Sequence, residues 1–186
     1  MRLTTLLIDL DDTVYPAASG MWDAIAARID RYMRERLAIP AEQIHTLRRE
    51  LHARYGTTLR GLSATRAVDE ADYLAFVHDL PVRDFLTPDP AVRAALSVIT
   101  CRKWIFTNAD SAHAARVLSA LALDDLFEGV IDINAISPYC KPMPEAYHLA
   151  LLKTGAPPHE TALLDDSTRN LETAREIGLT PVLVGA

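Results

Sequence analysis

The chain has 186 residues, 49% of them hydrophobic and 24% charged, and carries a formal net charge of −6 at pH 7. That length fits one domain with room for a modest insertion, and it buries enough surface to fold without a disulfide staple. The acidic balance excludes a general binder of nucleic acid polymers or anionic membranes, and no apolar run is long enough for a membrane span.

The first apolar run, 3–8 (LTTLLI), is too short for an independent helix and is continuous rather than alternating, as in a strand buried on both faces. It ends in the cluster Asp9-Leu10-Asp11-Asp12-Thr13. The next stretch, 14–85, carries three helical patterns and no strand. Ile25, Ile29, Met33 and Leu37 recur at four-residue spacing ahead of Pro40. Ile44, Leu47, Leu51 and Tyr55 line a second helix that stops at Gly56. Tyr73, Phe76, Val77 and Leu80 follow Asp69, a suitable N-cap, and end before Pro81. So much helix between two strands exceeds an ordinary crossover and predicts an inserted helical cap; the alternative is that these helices cover one sheet face.

Beyond residue 85, strands and helices alternate. Asp89-Pro90 opens a helix to about Ile99; 103–106 (KWIF) is a strand; Ser111 caps a helix carrying Val117, Leu118 and Leu121. Strand 130–133 (VIDI) precedes a helix from Pro144 to Gly155, and strand 161–164 (TALL) precedes one that stops at Gly178 before strand 181–184 (PVLV). The pattern predicts a Rossmann-like α/β fold with a parallel five-stranded sheet, core 1–13 and 86–186, and cap 14–85.

In such a sheet, ligands bind at the carboxyl ends of the strands. There the sequence places the acid cluster after strand one, Thr107-Asn108 after strand two, Lys141-Pro142 downstream of strand three and Asp165-Asp166-Ser167 after strand four. Crowded carboxylates call for a hard divalent cation, whereas a hydroxyl, backbone amides and a lysine before a helix start suit a phosphate. Singly each is also an ordinary turn, cap or solvated side chain; jointly they describe a phosphate and cation site.

These four segments resemble the signature motifs of the haloacid dehalogenase-like (HAD) hydrolase superfamily, in the right order and over nearly the whole chain. Within it, 9–16 (DLDDTVYP), 55–62 (YGTTLRGL), 106–108 (FTN), 140–142 (CKP) and 164–170 (LDDSTRN) look most like the pyrimidine 5′-nucleotidase group. The resemblance implies Asp9 as a nucleophile forming an aspartyl-phosphate and Asp11 as the acid, then base, with a pKa raised by neighbouring carboxylates. It implies Thr107, Asn108 and Lys141 as phosphate-binding groups, and Mg²⁺ on Asp9, the Asp11 carbonyl and Asp166, with Asp165 beside it and Asn170 behind. Arg60, in 55–62, is the candidate substrate contact from the cap, on an Arg60-Gly61 turn.

The expected activity is Mg²⁺-dependent hydrolysis of a small phosphomonoester, a pyrimidine nucleoside 5′-monophosphate foremost. A sugar-phosphate phosphatase is the alternative, and a non-catalytic phosphate- or partner-binding domain the rival from another class. Asp11 favours phosphate over halide chemistry, because a departing halide needs no proton. Cys101 and Cys140 fit no disulfide or metal pattern and suit a reducing, cytoplasmic setting. The six histidines show no metal-ligand spacing and read as surface or packing residues, and Trp22 and Trp104 as packing. The chain stops soon after the fifth strand, where relatives commonly continue, which would leave one sheet face thinly covered.

Overall fold

The structure, a computed structural model, describes residues 2–185. Strands β1 (Thr5–Ile8), β2 (Arg102–Phe106), β3 (Gly129–Ile131), β4 (Thr161–Asp165) and β5 (Thr180–Leu183) form one parallel sheet in the order β3-β2-β1-β4-β5. Each of the five apolar runs overlaps a strand. In β1, β2 and β4 the continuous apolarity follows from the two faces being covered by different clusters, whereas β5, at the sheet edge, leaves Val182 and Leu183 exposed. Leu6 and Ile8 of β1 join Ile105 and Ala162 on one face, and Leu7 joins Phe106, Ile131 and Leu163 on the other. No described helix is long and apolar enough to cross a membrane.

Five helices lie between β1 and β2 before the crossover proper: α1 (Met21–Glu35), α2 (Ala41–Tyr55), α3 (Thr58–Thr65), α4 (Glu70–Val77) and the single turn α5 (Val82–Phe85). Then come α6 (Pro90–Val98), α7 (Ser111–Leu121), α8 (Pro144–Thr154) and α9 (Thr168–Ile177). Helices α8 and α9 fill one face of the sheet through Tyr147, Ala150, Leu171 and Ala174. On the other, Ala114 and Val117 of α7 share a cluster with Ile25 and Ile29 of α1 and with Tyr73 and Val77 of α4.

Three local expectations need correction. Helix α3 was not anticipated, because Arg60-Gly61 reads as a turn. The glycine is there for packing: a Cβ on Gly61 would lie 2.6 Å from Leu51 Cβ, so α2 and α3 approach too closely for any side chain. Thr57 caps α3, accepting from the Arg60 amide at 3.1 Å. Helix α7 is capped by Asp110 rather than Ser111, its Oδ1 accepting from the His113 amide at 2.8 Å. Leu37 and Leu80 fall just outside α1 and α4. Asp89 caps α6 as expected, accepting from the Ala91 and Val92 amides, an arrangement worth about 1 kcal/mol.

Candidate active site

The register of the sheet brings the motifs together. Ile8 pairs with Ile105 and with Leu164, so Asp9, Phe106-Thr107 and Asp165 leave the sheet side by side at its carboxyl edge. The Asp9 amide still donates to the Leu164 carbonyl (2.9 Å) and that of Thr107 to the Ile131 carbonyl (3.0 Å), so both positions are tied to the ladder. The strand does not continue to Asp11. A turn takes over, with Asp12 at φ 59° and the Val14 amide donating to the Leu10 carbonyl, so Asp11 is placed by a turn and not by strand alternation.

Lys141 is the centre of the charge arrangement. Its Nζ donates to Asp9 Oδ1 and to Asp165 Oδ2, both at 2.7 Å, and the side chain is 2% exposed. Burial opposes the ammonium, but the two carboxylates outweigh it and hold its pKa above the ordinary lysine value. Asp9 is pushed up to about 7 by burial, against the pull of Lys141 and with help from the like charges of Asp165 and Asp11. Lys141 is itself held by its main chain. Its amide donates to Asn108 Oδ1 (2.8 Å), and Asn108 Nδ2 donates to its carbonyl (3.0 Å). The Asn108 side chain is therefore spent on the lysine. The Thr107 hydroxyl is buried and accepts from the Ala109 amide at 3.0 Å.

Asp165 and Asp166 divide their tasks. Asp165 is fully buried: Oδ2 faces Lys141, and Oδ1 accepts from Asn170 Nδ2 (2.8 Å) and the Ser167 amide (2.9 Å). Asp166 is exposed, and its pKa is raised by partial burial and by Asp165. Carboxylate oxygens of Asp9, Asp165 and Asp166 lie within 4.8 Å of one another. Beside them, Asp12 Oδ1 is buried with no hydrogen-bond partner, and its carboxyl is pushed up to about 6 by burial, Asp166 and Asp11. Raised carboxyls around an orphaned oxygen are what a hard divalent cation relieves, so the donor set fits one.

Asp11 departs from the expectation. Burial raises its pKa, but hydrogen bonds from His113 Nε2 (2.9 Å) and the Tyr15 hydroxyl (2.6 Å), with the charge of His113, leave it lowered rather than raised. The sequence does not single out Tyr15 as a site residue, and His113, read with the other histidines as a surface or packing residue, is corrected to a partner of Asp11. The available signal was position: Tyr15 lies four residues past Asp11, and His113 is in the first turn of the helix that follows Thr107-Asn108.

Asp9, Asp11, Asp12, Thr107, Asn108, Lys141 and Asp166 line one cavity of about 560 Å³, within the range of small-molecule sites. Its other wall comes from the helices after β1. Trp22, Ile25 and Ile29 of α1 are apolar; His45, Arg48, Arg49 and His52 occupy one face of α2. Trp22 is 45% exposed, so it is not the packing residue expected.

Arg60 does not line that cavity, which corrects its assignment as a substrate contact. Its guanidinium is buried and spent: Nη2 donates to the Ile133 carbonyl (2.7 Å), Nε to the Tyr139 carbonyl (3.2 Å) and Nη1 to Glu70 Oε2 (2.6 Å). It pins the loop that delivers Lys141. The end of α2 rests on the same loop. Gly56, at φ 84°, has room for no side chain, because a Cβ would lie 2.7 Å from Cys140 Sγ and 3.0 Å from the Lys141 carbonyl oxygen.

With this geometry, the comparisons with known proteins are consistent. The family model described as "Hydrolase: haloacid dehalogenase-like hydrolase" matches residues 3–178. Phosphate metabolism protein 8 of Saccharomyces cerevisiae is 26% identical over 190 residues; the match takes in 94% of this chain, which spans only 59% of that relative's length. Among solved structures, L-2-haloacid dehalogenase from Xanthobacter autotrophicus superposes with a TM-score of 0.62 at 18% identity, covering 98% of this chain and 77% of that one. A protein assigned as a HAD-hydrolase, YfnB of Bacillus subtilis, bound to magnesium and showing interdomain movement, also gives 0.62, at 20% identity and coverages of 98% and 87%.

Proposed function

Because the chain belongs to the haloacid dehalogenase-like hydrolases, we propose that it hydrolyses small phosphomonoesters through an aspartyl-phosphate. The observation that carries this reading is the pair Asp9 and Asp11 in one cavity, the second an acid that halide departure would not require. Asp9 attacks phosphorus, splitting hydrolysis into two displacements. Asp11 gives its proton to the leaving alkoxide and then takes one from the attacking water. The incoming phosphate dianion adds a like charge beside Asp11 and raises its pKa from the lowered value, towards that of a working acid.

Lys141 neutralises Asp9 and the phosphoryl oxygens together, while the Thr107 hydroxyl and the Asn108 amide bind those oxygens. Asp9, the Asp11 carbonyl and Asp166 would hold Mg²⁺, with Asp165 fixed behind them by Lys141 and Asn170. When bound, the cation supplies further charge neutralisation at the phosphoryl group. Magnesium in the similar YfnB structure supports this choice of metal.

The leading substrate is a pyrimidine nucleoside 5′-monophosphate. The motif resemblance supports it, and so does the cavity wall. Trp22, Ile25 and Ile29 suit the flat face of a base better than a bare sugar, and Arg49, which makes no ion pair among the described residues, is available for a polar substituent. The helices of 14–85 then act as a cap that closes over the substrate and excludes water.

The test is turnover of p-nitrophenyl phosphate with and without Mg²⁺, with acid-quench trapping of the phospho-enzyme. We expect Mg²⁺-dependent release of phosphate, and neither turnover nor trapped phosphate for Asp9→Asn. Full activity in metal-free protein would reject the cation, and trapped phosphate in Asp9→Asn would reject the nucleophile. A panel of nucleotides and sugar phosphates ranked by kcat/KM then assigns the substrate.

A further inference from the structure

Two buried side chains that the proposed mechanism leaves unused converge on one oxygen of Asp11. The Tyr15 hydroxyl donates to Asp11 Oδ1 at 2.6 Å, and His113 Nε2 lies 2.9 Å from the same atom. Among the described residues Oδ2 has no protein donor. A carboxylate oxygen offers about two lone-pair sites, so these two donors saturate Oδ1. We propose that Tyr15 and His113 are positioning residues for Asp11, which by occupying Oδ1 leave Oδ2 as the oxygen that carries the proton. The proposal rests on the reading of Asp11 as the acid.

The donors are themselves held rigid. Tyr15 is 4% exposed and His113 is fully buried. Asp110 ties the two histidines together: its Oδ1 accepts from the His113 amide at 2.8 Å, and its Oδ2 pairs with the ring of His78. The His78 ring in turn stacks on that of His113, centroids 4.3 Å apart at 19°. His113 Nδ1 is buried with no partner, so the stack, and no second hydrogen bond, sets the ring's tilt. An apolar side chain of similar size would fill the space without burying a bare ring nitrogen. Packing alone therefore does not account for a histidine here. His78 caps the C-terminus of α4 and His113 lies in the first turn of α7, so the acid is braced from both sides of the junction between the inserted helices and the sheet.

The proton accounting is then local to one atom. In the first step the Asp9–phosphorus bond forms and the bond to the leaving oxygen breaks. That oxygen keeps the electron pair and takes the proton from Oδ2. In the second step water attacks phosphorus, the Asp9–phosphorus bond breaks, and Oδ2 receives the water's proton. With Oδ1 occupied throughout, the acid presents the same oxygen in both steps. Without the donors, the carboxyl rotates and the proton is shared between two positions, only one of which is aligned.

The test compares kcat/KM for p-nitrophenyl phosphate, whose leaving group needs little protonation, with kcat/KM for a nucleoside 5′-monophosphate, whose alkoxide needs it. The ratio reads the first displacement only and is insensitive to general loss of folded protein. Tyr15→Phe and His113→Leu should each lower the nucleotide value at least tenfold more than the aryl value, and Asp11→Asn should do so more severely. His113→Gln, which keeps an N–H donor, should restore part of the ratio. Equal proportional losses on both esters, or none, for Tyr15→Phe would overturn the proposal even if His113→Leu fails to fold. If Asp11→Asn itself leaves the ratio unchanged, the acid reading falls and the positioning proposal with it.

Discussion

Asn108 grips the main chain of Lys141 from both sides, accepting from its amide at 2.8 Å and donating to its carbonyl at 3.0 Å. The motif residue after β2 therefore builds the position of the motif residue after β3. Each of these hydrogen bonds is worth about 1 kcal/mol. Asn108→Ala should lose both, lowering stability in urea by about 2 kcal/mol and kcat/KM for p-nitrophenyl phosphate roughly tenfold or more. Asn108→Asp keeps the acceptor but sets a carboxylate against the Lys141 carbonyl, and should fall at least as far. Full activity in either variant would show that the lysine is placed without this clamp.

Lys141→Ala should cost on the order of 3 kcal/mol or more in transition-state stabilisation, a loss of about a hundredfold or greater in kcat/KM. It also leaves Asp9 and Asp165 buried together with no counter-charge. The variant should consequently gain stability relative to wild type as the pH is lowered and Asp9, already raised by burial, takes up a proton. Urea midpoints at pH 5 and pH 8 measure this; a difference from wild type that does not change with pH would argue against the buried pair.

Arg60→Ala should act through structure and not through substrate choice. It strands the carbonyls of Ile133 and Tyr139 and the Glu70 carboxylate, about 3 kcal/mol of lost stability. Aryl and nucleotide esters should lose activity in equal proportion. Selective loss on nucleotides would return Arg60 to the substrate.

Asp110 supplies a pH-dependent contribution. Burial raises its carboxyl, but hydrogen bonds from His78 and the His113 amide prevail and hold it at about 2, below the ordinary 3.8. A folded-state pKa below the unfolded value stabilises above the unfolded pKa, and that stabilisation is lost as pH falls through the folded value. The stability gap between wild type and Asp110→Asn, which keeps a good helix cap, should therefore be full near pH 5. It should shrink between about pH 4 and pH 2. A gap constant over that range in chemical denaturation would mean that Asp110 is not held this way.

The sheet was legible because its central strands, buried on both faces, carry continuous apolar runs such as 3–8, and because Asp89-Pro90 and Gly155 punctuate helices by local stereochemistry. The motif residues were legible for a related reason: chain order places them at successive strand ends, where a parallel sheet must gather them. Helix α3 was not, since Gly61 answers to Leu51 on another helix, a contact no local pattern encodes. Tyr15 and His113 were missed on the same ground. Their role depends on which oxygen of Asp11 they reach, and Arg60 was misplaced because an arginine's three partners lie 10, 73 and 79 residues away in the chain.

The Arg60 anchorage bears on how freely such a protein can exchange its parts. Its donors bind two main-chain carbonyls of the loop after β3 and a carboxylate on α4, joining segments that a modular view would keep apart. Main-chain carbonyls cannot be mutated away. A different helical insertion grafted after β1 would thus inherit two unsatisfied acceptors beside the lysine loop and would have to bring its own cation to them. If the proposed cavity wall sets specificity, specificity can drift by changing the exposed face of α2, but wholesale replacement of the helices between β1 and β2 must pass through an intermediate with a loosened Lys141.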